Sequence, residues 1–204
     1  MLNKAIRSDF PVLVNNPDLV YLDSGATSLK IKAVIDKMKD YYEYYGVNIH
    51  RGVYSLSHKA TTEYEETRDV VANFINAKPE EIIYTKGTTN GLNMVASILG
   101  KTLQKGDEVI VSELEHHSSI LPWQHLASEK GLVLRYVDLT VDGRITLENF
   151  KATISPKTKV VAITYVSNVM GYITPLKEII KEAHIAGAVV IVDAAQAAPH
   201  LKID

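Results

Sequence analysis

The chain has 204 residues, a formal net charge of −2 and 46% hydrophobic residues, the composition of an ordinary soluble globular protein. This charge gives no electrostatic basis for binding nucleic acid or an anionic membrane. The sequence has no cysteine, which excludes disulfides, thiolate metal ligands and a cysteine nucleophile among these residues. The N-terminus lacks the apolar region of a secretory signal and no window is apolar enough to span a membrane, so we expect a cytoplasmic protein.

The N-terminal part predicts a lead-in segment, residues 1–30, before one large domain, residues 31–204. Within the lead-in we expect residues 9–18 to be extended and residues 20–23 to form a short strand. Apolar residues then recur at helical spacing from 31 to 45, and Gly46 is expected to end this helix as a C′ glycine. A loop at 48–52 follows.

From residue 60 onward, predicted helices and strands alternate. The predicted helices are 60–76, 88–99, one that begins near Leu121 with Pro122 in its first turn, 147–154 and 176–186. The predicted strands are 81–85, 108–111, 132–137, 160–163 and 189–192. This alternation predicts an α/β fold with a mostly parallel sheet and helices on both faces.

The last predicted strand delivers a carboxylate. Four β-branched residues, 189–192, predict a strand buried on both faces, and Asp193 follows at its carboxyl end, where ligands bind in open α/β sheets. Alternatively, Asp193 only caps the next turn. We expect 109–111, 160–163 and 189–192 to be neighbouring, almost fully buried strands.

Polar side chains follow three other predicted strands. Thr88 and Thr89 open a helix after Gly87, which predicts a phosphate site made of N–H groups, hydroxyls and the helix dipole, unless a threonine merely caps the helix. His116 follows a second strand, where an imidazole can stack on an aromatic cofactor. No spacing typical of a zinc site is present, so we expect no metal. Asn168 follows the third and either contacts a ligand or only forms a turn.

Together these groups suit a ligand with a phosphate on a short arm, a flat ring and a ring nitrogen. Pyridoxal 5′-phosphate (PLP) has these parts. Its pyridine nitrogen must stay protonated to accept electrons, and a buried carboxylate such as Asp193 would favour the protonated form. We expect Thr88, Thr89, His116, Asn168, Asp193 and Gln196 to surround one cleft at the carboxyl ends of the strands.

Seven stretches of the chain carry motifs that occur in this order in one enzyme family. They are residues 21–27, 50–53, 87–89, 115–117, 122–124, 167–171 and 192–197. With these motifs, the chain resembles the N-terminal half of a SUF-type (group II) cysteine desulfurase, in the class V aminotransferase family of fold-type I PLP enzymes. The resemblance implies the large domain of a fold-type I PLP-dependent transferase, incomplete at its C-terminus.

The resemblance also implies roles for individual residues. Thr88 and Thr89 would bind the phosphate of PLP, His116 would stack on its ring and assist proton transfer, Asp193 would pair with the pyridine nitrogen, and Gln196 would contact the ring hydroxyl. Three further residues would face the substrate: His50, Arg51 and Asn168. Lys86 and Asn90 depart from the family pattern, which often has arginine and usually has glutamate there.

The family's Schiff-base lysine, nucleophilic cysteine and carboxylate-binding arginine would lie beyond Asp204. The resemblance implies that the complete enzyme is a homodimer that converts L-cysteine to L-alanine. Its sulfur would pass as an enzyme persulfide to a sulfur-acceptor protein of iron–sulfur cluster assembly. We expect this chain alone to be inactive and to bind PLP at most weakly and non-covalently.

Two kinds of alternative stay open. A selenocysteine lyase, a kynureninase-like hydrolase or an aminotransferase of class V would share the PLP residues, although the motifs His50-Arg51-Gly52 and His116-His117 favour the desulfurase. The second alternative is that the chain is a non-catalytic truncated module.

Overall fold

The computed structural model describes residues 4–204, which divide into two compact units at the bond between Ile82 and Ile83. The domain boundary predicted after residue 30 concerns a different division and stays a prediction. Among the described residues, no helix is both long and apolar enough to cross a lipid bilayer.

The first unit is helical. Its longest helix, α4, occupies the predicted region but begins earlier than expected, and the helix predicted from residue 31 is present with a π-helical last turn. The elements are α1 (Lys4–Arg7), α2 (Pro11–Asn15), α3 (Lys32–Asp40), the π-helical turn Tyr41–Tyr45, α4 (Ser55–Phe74) and the 3-10 turn Pro79–Glu81.

Several predictions for residues before 86 were wrong. Residues 9–18 contain α2, because Pro11 has the backbone φ that starts a helix. Residues 20–23 and 81–85 are not strands; in the described chain, strand ladders form only within the second unit. Gly46 has a φ of −68°, so it does not end the helix in the left-handed conformation of a C′ glycine.

The second unit is an α/β layer structure, as predicted. Its four strands form one parallel sheet in the order β2-β1-β3-β4. The elements are α5 (Thr88–Gly100), β1 (Glu108–Ser112), α6 (His117–Lys130), β2 (Val133–Val137), α7 (Leu147–Thr153), β3 (Thr158–Thr164), α8 (Leu176–Ile185) and β4 (Val189–Asp193).

Helices cover both faces of this sheet. Side chains alternate between the two faces along each strand, so one strand contributes to a core on each side. Val109 and Val111 of β1 pack in one core with Trp123 of α6. Ile110, between them, packs in the other core with Phe150 of α7. These five side chains are at most 2% exposed, so β1 is buried on both faces.

The burial prediction holds for β1 and the centre of β3 but was wrong for β4. The strands are neighbours as expected, yet Val189 is 49% exposed and residues 190–192 are only half-buried. In the described chain β4 pairs with β3 alone and forms an edge of the sheet. A run of β-branched residues predicts a strand but carries no information about how many neighbours it has.

Candidate active site

Three strands of the sheet end beside one another at the same edge. Because the sheet is parallel, the carboxyl ends of β1, β3 and β4 point the same way, at Ser112, Thr164 and Asp193. Thr164 and Asp193 are direct partners in the register of β3 and β4. This edge is where ligands bind in open α/β sheets.

The N-terminus of α5 has the geometry of an anion site. Gly87 is the residue before the helix, with a φ of +132°, and no side chain caps the helix end. Thr88 and Thr89 are the first two helical residues and are exposed. The first N–H groups of a helix have no intrahelical acceptor, so they can bind an anion together with the hydroxyls. The alternative interpretation, a threonine that only caps the helix, does not describe this end.

A serine links this helix end to His116. The hydroxyl oxygens of Thr89 and Ser118 are 2.8 Å apart, and Ser118 Oγ lies 2.7 Å from Nδ1 of His116. Ser118 was not predicted as a site residue. A serine that follows a candidate histidine by two positions and can cap a helix is the only sequence signal for it.

His116 is the residue before α6, and its ring caps the helix. Nδ1 accepts the backbone N–H of Ser118 at 3.1 Å, so the neutral ring carries its proton on Nε2. The prediction that α6 begins near Leu121 was wrong, because this cap starts the helix at His117 and leaves Pro122 inside it. The ring of His116 is exposed, as stacking on a ligand requires.

The neighbouring His117 does not form a metal site with His116. Their ring centroids are 6.1 Å apart and the planes are inclined by 67°. Across residues 4–204, no three His, Asp or Glu side chains are grouped so that they could share a metal ion.

Asp193 is buried at the end of β4, and its Oδ1 accepts the backbone N–H of Ala195 at 3.0 Å. The turn cap considered as the alternative for Asp193 is therefore present. Glu115, buried nearby, was missed by the sequence reasoning. Burial raises the pKa of the Glu115 carboxyl to about 7; hydrogen bonds from Ser112 and Thr164 oppose this rise, and the negative charge of Asp193 adds to it.

Asn168 and Gln196 line a separate cavity of about 350 Å³, together with His200. The buried hydroxyl of Ser167 accepts the N–H groups of Val169 and Met170 and thereby forms the turn that carries Asn168. The lining of this cavity does not include Thr88, Thr89, His116 or Asp193. The structure thus groups Thr89 with His116 and Asn168 with Gln196, and one common cleft for all six residues stays a prediction.

His50 and Arg51 belong to the first unit. His50 has a φ of +67°, and its backbone N–H donates to Thr61 Oγ1 at 2.9 Å. Its Nε2 lies 3.4 Å from Glu65 Oε1, and Arg51 is exposed. Ser57, Thr61 and Glu65 are spaced four residues apart on α4, so one face of that helix holds the loop of residues 48–52 in place.

The chemical groups of these residues fit PLP. The start of α5 supplies N–H groups and hydroxyls for a phosphate, the exposed imidazole of His116 supplies a stacking face, and Asp193 supplies a carboxylate for a ring nitrogen. All three lie at strand ends or helix starts of the second unit.

Comparison with known proteins identifies the family. The model of the aminotransferase class-V family matches residues 20–204. The chain belongs to this family. Class V enzymes depend on PLP, and the cysteine desulfurases are among them. Curated relatives include a probable cysteine desulfurase of Halalkalibacterium halodurans, 51% identical over 204 residues, and the cysteine desulfurase of Dickeya dadantii, 46% identical over 204 residues. Each alignment covers 98% of this chain and 50% of the relative.

Solved structures of class V enzymes resemble the fold closely. The apo cysteine desulfurase of Thermococcus onnurineus is 42% identical, with a TM-score of 0.93 over the whole chain and 50% of its own length. The cysteine desulfurase CsdA of Escherichia coli is 37% identical, with a TM-score of 0.89 over the whole chain and 51% of its own length. The chain thus spans about half the length of the relatives it matches.

Proposed function

We propose that this chain is the PLP-binding N-terminal half of a SUF-type cysteine desulfurase. The hydrogen-bonded series from Thr89 through Ser118 to His116 carries the proposal. It joins an anion site at a helix start to an imidazole that can stack on a ring, which are the two contacts that a phosphorylated aromatic cofactor needs. The names of the relatives support the desulfurase over other class V activities.

The side chains at the carboxyl ends of the strands would each contact a different part of PLP. Thr88 and Thr89 bind the phosphate with their hydroxyls and the N–H groups of α5. Asp193 holds a proton on the pyridine nitrogen, because a close negative charge favours the protonated form. PLP, when bound, accepts the electrons released at the substrate carbon.

His116 has a defined proton position in this arrangement. Because Nδ1 accepts the N–H of Ser118, the ring proton is on Nε2, the atom that can donate to a ligand. Gln196 would contact the ring hydroxyl of PLP, and His50, Arg51 and Asn168 would face the substrate. These roles rest on the family resemblance.

In the whole protein we propose conversion of L-cysteine to L-alanine, with sulfur passed as an enzyme persulfide to an acceptor protein of iron–sulfur cluster assembly. A homodimer and a cytoplasmic location belong to the same proposal. The 204 residues contain no cysteine to receive sulfur and no lysine in a Ser-x-His-Lys motif. The chain alone is therefore expected to bind PLP without a covalent bond and to form no alanine.

A PLP titration of the chain tests this proposal. We expect a saturable change in the PLP absorption band, and we expect Thr89→Val to weaken binding about tenfold through loss of a hydrogen bond to a charged group. Thr62→Val, at an exposed site on α4, is the matched control and is expected to bind like the unmodified chain. Borohydride reduction followed by mass spectrometry is expected to detect no stoichiometric pyridoxyl adduct.

Two results would contradict the proposal in different ways. If the chain binds no PLP, or binds it equally well after Thr89→Val, the cofactor site is wrong. If one lysine forms a stoichiometric adduct, or if the chain produces alanine from L-cysteine, the inactivity of this chain is wrong.

A further inference from the structure

Glu115 is a buried carboxyl with no role in the function proposed above. It lies between β1 and α6, directly before His116, and is 8% exposed. The preceding acidic residue of the same segment, Glu113, is exposed. Burying a carboxyl costs free energy unless hydrogen bonds compensate for the lost hydration, so the contacts of Glu115 must explain why it is buried.

The carboxyl of Glu115 connects two strand ends. Its Oε1 accepts the hydroxyl of Ser112, at the end of β1, at 2.7 Å. The same oxygen accepts the backbone N–H of Thr164, at the end of β3, at 2.9 Å. Thr164 is 49 residues away in sequence, so this contact fixes the segment before α6 against a distant strand of the sheet.

The second oxygen of the carboxyl is in a different situation. Oε2 is buried and has no hydrogen-bond partner among the described residues. The other charged group that acts on Glu115 is Asp193, at the end of β4, and its negative charge disfavours a second carboxylate beside it. The hydroxyl of Ser119, on the first turn of α6, is the remaining polar group near the carboxyl. A neutral carboxyl suits this site better than a carboxylate, because Oε1 still accepts from Ser112 and Thr164 while no donor neutralises a charge on Oε2.

We propose that Glu115 is a positioning residue of the cofactor site, which holds the His116 ring over the edge of the sheet by tying its segment to the end of β3. The inference rests on the proposed function, because it assigns Glu115 a role toward PLP through His116.

Two substitutions separate the parts of this role. Glu115→Gln keeps an acceptor oxygen for Ser112 and Thr164 and resembles the neutral acid. Glu115→Ala removes the connection. Glu113→Gln, two residues away and exposed, is the control for a change of charge in the same segment.

The first measurement is the imidazole Cε1–H resonance of His116 in the chain without PLP, assigned by its loss in His116→Gln. We expect Glu115→Ala to shift or broaden this signal, and Glu115→Gln and Glu113→Gln to retain it. If Glu115→Ala does not fold, Ser112→Ala replaces it, since it removes one of the two donors to Oε1; we then expect a smaller displacement of the same signal.

The second measurement is the Kd for PLP of the same variants. We expect Glu115→Ala to weaken binding about tenfold and Glu115→Gln to stay within about twofold of the unmodified chain. An unchanged His116 signal in Glu115→Ala or Ser112→Ala, or a Glu115→Gln as defective as Glu115→Ala, would overturn the inference. If the unmodified chain binds no PLP, the proposed function fails, while the His116 signal still tests whether Glu115 positions this ring.

Discussion

Replacing Glu115 by glutamine is expected to change the stability of the chain in a pH-dependent way. Relative to the unmodified protein, the variant gains stability as the pH rises. Burial raises the pKa of this carboxyl from 4.5 to about 7 in the folded state. A difference of about 2.5 pKa units corresponds to about 3 kcal/mol, because each unit is worth about 1.4 kcal/mol. Glutamine has a similar shape and no ionisation, so it removes this contribution without opening a cavity.

The direction follows from where the proton is bound. Between pH 4.5 and about 7 the folded chain holds the Glu115 proton and the unfolded chain releases it. The contribution to stability is complete below pH 4.5 and is lost as the pH rises through 7. The free energy of unfolding of Glu115→Gln minus that of the unmodified chain is therefore expected to increase by about 2–3 kcal/mol from pH 5 to pH 8.

Urea unfolding at several pH values, followed by circular dichroism, measures this difference. Glu113→Gln is the control, because the side chain is exposed and its difference curve is expected to be flat. Parallel stability curves for Glu115→Gln and the unmodified chain would refute the reasoning. They would mean that water or a local rearrangement solvates the carboxyl, and that its pKa in the folded chain is not raised.

Two further predictions concern the backbone near the candidate site residues. Gly87→Ala is expected to destabilise the chain by about 1–3 kcal/mol, because the φ of +132° is strained for any side chain, although a Cβ there meets no other atom. Gly25→Ala is the control, since a Cβ at Gly25 also meets no other atom and its φ is not positive. Equal denaturation midpoints for the two variants would contradict the prediction. Ser57→Ala is expected to cost about 1–3 kcal/mol in urea unfolding and to displace the His50 imidazole resonance, because the buried hydroxyl donates to the Asn48 carbonyl and accepts the N–H of Gly52. Ser97→Ala on an exposed face of α5 is its control, and an unmoved His50 signal would show that the loop is held by other contacts.

The sequence predicts elements well where the signal is local. β1 and β3 are short apolar runs, and α5 and α8 have regular helical spacing, so their existence follows from periodicity. The segments at 20–23 and 81–85 also contain β-forming residues, but a strand needs in addition a neighbouring strand at hydrogen-bonding distance. That neighbour is a property of the fold and is invisible in either segment.

Burial and site composition depend even more on distant parts of the chain. Val189 and Val161 are the same residue type in similar runs, yet Val161 is fully buried between two strands and Val189 is 49% exposed at an edge. Glu115 was missed for the same reason, since its role depends on the backbone of Thr164, 49 residues away. His116 was found because an imidazole at a strand end is a recognisable pattern, but its capping of α6 was not, because histidine is an uncommon helix cap.

The turn cap of Asp193 is compatible with its proposed role toward the cofactor. A turn cap and a cofactor carboxylate were treated as alternatives, and the structure contains the cap, in which the N–H of Ala195 donates to Oδ1. A carboxylate has two oxygens, each able to accept more than one hydrogen bond, so this bond uses only part of its capacity. The cap also serves the proposed role, because it fixes the orientation of the carboxyl group at the end of β4. A ring nitrogen that approaches Oδ2 would then meet an acceptor whose direction is already set, which lowers the entropy lost on binding.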